Sequence, residues 1–154
     1  MKLKNIMDKY NKILDNLYIG NYEAPIDTEF LKNQNIKLIV NCTKNYKYDT
    51  ENDINILRLG ITDFNSPENN IILASNIDKI IEIINIYLES NEGVLVHCHM
   101  GQQRSAMLIA CYLMKYKKNK LEESIKNIKI QRKYAFLPEA TFIDFLKYYE
   151  LEQS

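Results

Sequence analysis

Val94-Leu95-Val96-His97-Cys98-His99-Met100-Gly101-Gln102-Gln103-Arg104-Ser105 is an apolar run that ends in a cysteine and reaches an arginine six positions later. Gly93 to Val96 is short, apolar and opened by glycine, which predicts a buried strand, whereas Ala106 to Met114 is apolar on every side and predicts a buried helix. The residues between them form a strand-to-helix loop. A helix start leaves several backbone N–H groups without intrahelical partners, and in such a loop they converge on a cup that favours an anion.

With Cys98 at the floor of that cup, the loop amides, the helix dipole and the Arg104 guanidinium all favour thiolate over thiol, so Cys98 reads as a nucleophile. The planar fork of Arg104 can hold two phosphoryl oxygens and follow them as the transferring group flattens, which a lysine ammonium does less well. Ser105 can donate a hydrogen bond to the sulfur and help it leave in a second step. Gly101 lets the loop turn with positive φ or bring its backbone close to a phosphate. His97 reads as a brace for the loop rather than a proton carrier. Singly, each residue has a plainer reading as packing, turn or surface charge. At this spacing, between a strand and a helix, they read together as a phosphate site.

Working outward, Leu73, Ile77, Ile80, Ile81, Ile84 and Leu88 stripe one face of a long helix leading to the cysteine strand. Leu121, Ile125 and Ile128 stripe a helix after it, and Phe142, Phe145, Leu146 and Tyr149 stripe the last. Strands alternating with helices predict an α/β sheet with helices on its faces and ligands at the carboxyl ends of strands, where Cys98 stands. No repeat, Pro/Gly-rich linker or low-complexity tail divides the chain, so residues 1–154 read as one catalytic domain. Leu3, Ile6, Met7 and Tyr10 follow helical spacing, which predicts an amphipathic helix over Met1 to Asn11. Such a stripe packs on its own domain or docks on a second copy, so the chain is a monomer or a homodimer through this helix.

The stretch His97-Cys98-His99-Met100-Gly101-Gln102-Gln103-Arg104-Ser105 resembles the His-Cys-x5-Arg-Ser/Thr signature of the cysteine-based protein phosphatases, and within them the compact dual-specificity phosphatases. Lys12 to Gly20 looks like that family's opening hairpin and Ile36 to Thr43 like its next core strand. Arg132, Pro138, Phe142, Phe145 and Leu146 look like its closing helices. The resemblance implies an α/β fold with a central mixed β-sheet flanked by helices. It also implies a phosphate-binding loop of His99, Met100, Gly101, Gln102, Gln103 and Arg104, and a carboxylic acid upstream that protonates the leaving oxygen. Asp63, ending the strand-like run Ile54 to Asp63, matches that acid by position; Asp53 precedes the run and is the poorer rival. Three positions depart from the usual pattern. Met100 and Gln103 stand where smaller residues are common, which predicts a bulkier loop rim, and Glu139 follows Pro138 where asparagine is frequent. His99 is expected on that rim, facing solvent.

The implied activity is hydrolysis of phosphotyrosine, and of phosphoserine and phosphothreonine, through a cysteinyl-phosphate intermediate without metal or other cofactor. The competing readings are a phosphoinositide or RNA 5′-phosphatase, a catalytically silent phosphoprotein-binding module, and a redox-sensing thiol protein. The variable loop positions His99, Met100, Gln102 and Gln103 include no Lys or Arg, which disfavours the first. Intact Cys98, Arg104 and Asp63 disfavour the second, and a thiol sensor does not need Arg104 at this spacing. In the whole chain of 154 residues, 20 Lys plus Arg balance 20 Asp plus Glu, so no global field draws it to nucleic acid or anionic membranes. The Ile71 to Leu88 segment is too interrupted by polar residues to span a bilayer, and the N-terminus has no cleavable signal pattern. The expected partner is a phosphoprotein substrate. Cys42, Cys98 and Cys111 form no disulfide framework, and a working thiolate needs a reducing compartment, which predicts an intracellular protein of cytoplasm or nucleus. Tyr46 and Tyr48, in the loop from Thr43 to Asn52, are expected to line the pocket entrance.

Overall fold

The computed structural model describes residues 8–154. Strands β1 (Tyr10–Leu14), β2 (Leu17–Gly20), β3 (Ile36–Asn41), β4 (Asn55–Arg58) and β5 (Gly93–His97) form one sheet in the order β1-β2-β5-β3-β4. β1 pairs antiparallel with β2, and the other neighbours pair in parallel. The sheet is therefore mixed and flanked by helices, as the resemblance implied. Parallel neighbours need crossovers. Helix α1 (Thr28–Asn33) lies in the connection from β2 to β3, and helix α2 (Pro67–Glu89) connects β4 to β5.

The central strands are apolar at successive positions because both faces of the sheet are covered. Leu17, Ile19, Leu38, Val40, Val94 and Val96 enter the larger core, while Tyr18, Ile39 and Leu95 between them enter a smaller one with Phe30 and Leu31 of α1. β3 pairs Ile36 with Gly93 but Leu38 with Val94, and this slip lets two residues of like parity face opposite cores. The larger core is closed by α2, α3 (Arg104–Tyr116), α4 (Leu121–Gln131) and α5 (Ile143–Glu152). Every residue of α3 from Ser105 to Met114 is buried, the environment that an all-round apolar helix requires. α2 begins where the Ser66 hydroxyl accepts the Asn69 N–H at 3.2 Å and Pro67 takes the first helical position.

Two expectations change. The N-terminal helix falls largely outside the described residues, and where the chain is described Tyr10 and Asn11 are strand, opposite Gly20 and Ile19. The Tyr10 ring stacks on Phe30 with centroids 3.8 Å apart. Strand pairing and an aromatic partner win at Tyr10 over the weak stability of a short helix. The run Ile54 to Asp63 is strand only to Arg58. Leu59 N–H still donates to Asn41 O at 2.9 Å, but Ile61 N–H turns back to Leu59 O at 2.9 Å, a tight turn through Gly60 that takes the chain out of the sheet. Leu59 and Ile61 stay buried, so their apolar alternation reflects packing without sheet pairing.

Candidate active site

β5 delivers Cys98 to the carboxyl end of the sheet, and the following loop folds over it before α3 begins at Arg104. Cys98 is only 3% exposed. The Gly101 N–H donates to Cys98 Sγ at 3.2 Å, and the Ser105 hydroxyl lies 3.1 Å from the same sulfur. Gly101 has φ +71°, and a Cβ there would come within 2.7 Å of both Arg132 Nη2 and Gly20 O. Glycine is needed at this position for its torsion and again for its lack of volume.

Arg104 Nη1 donates to Ile61 O at 3.1 Å, which ties the first turn of α3 to the segment leaving β4. Its Nε lies 3.8 Å from Asp63 Oδ1 and, among the described residues, is a buried nitrogen without a hydrogen-bond partner. A guanidinium nitrogen held this way, at a helix start and beside a cysteine loop, is poised to donate to an anion. The Asp63 side chain is about half exposed, at 49%, against 12% for Arg104. Partial burial pushes the Asp63 carboxyl above the ordinary carboxylate value, with Arg104 opposing.

The loop is braced from behind. His97 Nδ1 lies 3.1 Å from Cys98 O and Nε2 lies 2.6 Å from the Tyr48 hydroxyl. A carbonyl only accepts, so the ring proton belongs on Nδ1 and the Tyr48 O–H donates to Nε2. Burial pushes the His97 imidazole down to about 4, so it is neutral near pH 7. Burial also pushes the Tyr48 phenol up. Tyr48, expected at the entrance, is thus half-buried against His97. The Tyr46 hydroxyl donates to Tyr22 O at 2.8 Å. The exposed His99 ring stacks on Tyr22, with centroids 4.8 Å apart and planes 13° from parallel. Asn41 and Arg58 fix the loop between β3 and β4: Arg58 donates to Thr43 O at 2.8 Å and Tyr46 O at 2.7 Å, and the Asn41 amide nitrogen donates to Tyr46 O at 3.0 Å.

Of the loop residues expected to meet phosphate, Gly101 directs its N–H inward to the sulfur, while the side chains of Gln102 and Gln103 turn away. Gln102 Nε2 donates to Tyr134 O at 3.0 Å. Gln103, 8% exposed, donates to Leu137 O and Glu139 O at 3.1 and 2.9 Å and accepts from Thr141 N–H at 3.0 Å. It therefore does not add bulk to the rim, which carries His99 and a Met100 that is 39% exposed. Its long amide instead fastens the segment around Pro138 and Glu139 to the loop.

Sequence reading placed Arg132 with the closing helices and missed its contact with the loop. At 7% exposure, its Nε donates to Gly101 O at 2.8 Å, its Nη2 to Met100 O at 3.1 Å and Asp8 O at 3.0 Å, and its Nη1 to Asn11 Oδ1 at 2.6 Å. It thereby occupies the carbonyl of Gly101, whose N–H faces the sulfur, and that of its neighbour Met100. Cys42 and Cys111 are buried, and burial pushes both thiols up, the setting of unreactive cysteines.

The sequence profile described as Dual specificity phosphatase, catalytic domain matches residues 17–152. A protein of Invertebrate iridescent virus 6, tyrosine phosphatase 123R by name, is 31% identical over 139 residues, covering 90% of this chain and 90% of its own. A Dictyostelium discoideum protein named among the dual specificity protein phosphatases is 36% identical over 159 residues, covering 97% of this chain and 67% of its own. Among solved structures, human DUSP28 superposes with a TM-score of 0.84 at 22% identity, covering 94% of each chain, which shows a shared fold.

Proposed function

This chain belongs to the dual specificity phosphatases, and we propose that it hydrolyses phosphotyrosine, and phosphoserine and phosphothreonine, in phosphoproteins through a phosphate ester of Cys98. The observation that carries this reading is the sulfur of Cys98, which receives the Gly101 N–H at 3.2 Å with the Ser105 hydroxyl at 3.1 Å. The Gly101 N–H aims at the sulfur beside a helix start, the surroundings that a nucleophilic sulfur uses.

In the first step the Cys98 thiolate attacks phosphorus, the P–O ester bond breaks, and the leaving oxygen takes the proton of Asp63. Arg104 and the loop amides hold the three equatorial oxygens as charge spreads over them. In the second step Asp63, now a carboxylate, takes a proton from water as the water oxygen attacks phosphorus. The P–S bond breaks, and the Ser105 hydroxyl donates to the departing thiolate. The side chains at the variable loop positions favour phosphoprotein over more highly charged substrates: none is Lys or Arg, and Gln102 and Gln103 point away from the cup. No metal takes part in this scheme, and its thiolate confines the enzyme to a reducing, intracellular compartment.

The test is the pH dependence of p-nitrophenyl phosphate hydrolysis with EDTA present, for wild type, Cys98→Ser and Asp63→Asn. The reading expects EDTA-resistant turnover that vanishes in Cys98→Ser and an alkaline limb, set by deprotonation of a raised Asp63 carboxyl, that is lost in Asp63→Asn. Unchanged turnover in Cys98→Ser would sink it.

A further inference from the structure

The residue proposed as acid stands on a segment that has left the sheet. Beyond Leu59 the chain has no strand partner, Phe64 is 70% exposed, and the half-exposed Asp63 carboxylate has no hydrogen bond to the described residues, only the 3.8 Å ion pair with Arg104 Nε. Packing and side-chain contacts therefore do little to fix the direction of Asp63. What fixes it is its backbone, held on both flanks.

On one flank the Arg104 guanidinium holds Ile61 O at 3.1 Å. On the other stands Asn69, the third residue of α2 and only 3% exposed. Asn69 Oδ1 accepts the Thr62 N–H at 3.2 Å, and its Nδ2 donates to Thr62 O and Thr62 Oγ1, both at 3.0 Å, and to Phe64 O. A backbone N–H only donates and a carbonyl only accepts, so the orientation of this carboxamide is fixed by its partners. One side chain thus grips the residues before and after Asp63. Its own backbone is anchored, because α2 buries Leu73, Ile77, Ile80, Ile81 and Ile84 in the larger core.

We propose that Asn69 is a positioning residue for the general acid: it holds the peptide of residues 62–64 so that the Asp63 carboxyl meets the leaving oxygen. This inference rests on the reading of Asp63 as that acid. A displaced acid costs little when the leaving oxygen is weakly basic and departs unaided, and much when it is strongly basic and needs the proton. Loss of Asn69 should therefore steepen the dependence of kcat/KM, which covers only the steps through departure of that oxygen, on leaving-group basicity while leaving the phosphate cup intact.

The experiment measures kcat/KM for a series of substituted phenyl phosphates, from p-nitrophenyl to unsubstituted phenyl, together with inhibition by vanadate. The proteins are wild type, Asn69→Ala, Thr62→Val, Asp63→Asn and the Asn69→Ala/Asp63→Asn double variant. Asn69→Ala is expected to lower kcat/KM for phenyl phosphate about tenfold or more, and for p-nitrophenyl phosphate less than about threefold, with vanadate inhibition unchanged. Thr62→Val, which removes one acceptor of the same amide, should show the pattern at smaller amplitude. In the Asp63→Asn background, Asn69→Ala should add little, since the two act through one proton. An equal loss for every leaving group, an undiminished loss in the Asp63→Asn background, or a parallel loss of vanadate binding would each overturn the proposal. If Asn69→Ala does not fold, Thr62→Val decides, and an unchanged leaving-group dependence there overturns it. A flat profile in Asp63→Asn itself would instead show that Asp63 is not the acid, and the inference would fall with that reading.

Discussion

The His97 imidazole, pushed down to about 4 by burial, carries a consequence outside catalysis. An unfolded histidine titrates near 6.5, so between that pH and about 4 the unfolded chain binds a proton that the folded chain refuses. The stabilisation is fully present above about pH 6.5 and is lost as pH falls through that window, by on the order of 3 kcal/mol. Urea denaturation at pH 7.5 and pH 4.5 should show a larger drop in midpoint for wild type than for His97→Gln; equal drops would refute the assignment. Gly101 makes a second prediction. At φ +71°, with Arg132 Nη2 and Gly20 O each 2.7 Å from the site of an added Cβ, Gly101→Ala must move the loop. A shift of about an ångström at a phosphate site costs roughly a hundredfold in rate. The expected result is a kcat/KM loss of about that size, with the helical circular dichroism retained. His97 and Gly101 are short-range features, tied to the cysteine by spacing along the chain, and this is why both stood out in the sequence.

At the scale of elements, the strand-loop-helix unit was legible because its signals are local: an apolar run, a glycine, a continuous apolar helix, and Cys98 and Arg104 on the loop between. The stripe of α2 was legible for the same reason, its period being that of a helix packed on one side. The acid segment was not. Leu59 and Ile61 alternate as in a strand, but the turn through Gly60 ends the pairing, and Asp63 was assigned as the acid on resemblance alone. Arg132, Asn69 and Gln103 were opaque because most of their partners are backbone carbonyls and amides, which carry no residue identity, and for Arg132 and Gln103 the partners are distant in sequence, those of Arg132 reaching back to Asp8 and Asn11. Arg132 fastens the cysteine loop to the start of β1, so Arg132→Ala leaves the carbonyls of Gly101 and Met100 without a buried donor. It should cost about 2–4 kcal/mol in unfolding free energy and weaken inhibition by inorganic phosphate. Arg132→Lys should not restore phosphate inhibition, because an ammonium cannot span four acceptors. Full rescue by lysine would show that charge alone matters.

Across the whole molecule, α3 joins stability to chemistry. Its N-terminal residue is Arg104, its second residue lies against the sulfur, and everything from there to Met114 is buried between the sheet and the outer helices. Leu108→Ala, at 0% exposure, should cost about 2–5 kcal/mol in unfolding free energy, and the surviving folded fraction should keep a near-normal kcat because the helix start is held by its own contacts. The mixed sheet itself was foreseeable from resemblance, but the sequence did not show that β3 slips by one residue against β5 or that Tyr10 belongs to a strand, since both depend on cross-strand partners. The central claim is covalent chemistry at Cys98, and Ser105 offers the means to see it. Its hydroxyl stands 3.1 Å from the sulfur and should assist departure of the thiolate, so Ser105→Ala slows breakdown of the intermediate more than its formation. Acid-quenching Ser105→Ala during turnover of a phosphotyrosine peptide and mapping the protein by mass spectrometry should place one phosphate on the peptide containing Cys98. Steady turnover with no phosphate on that peptide, and the same turnover in a Cys98→Ser/Ser105→Ala protein, would contradict the account.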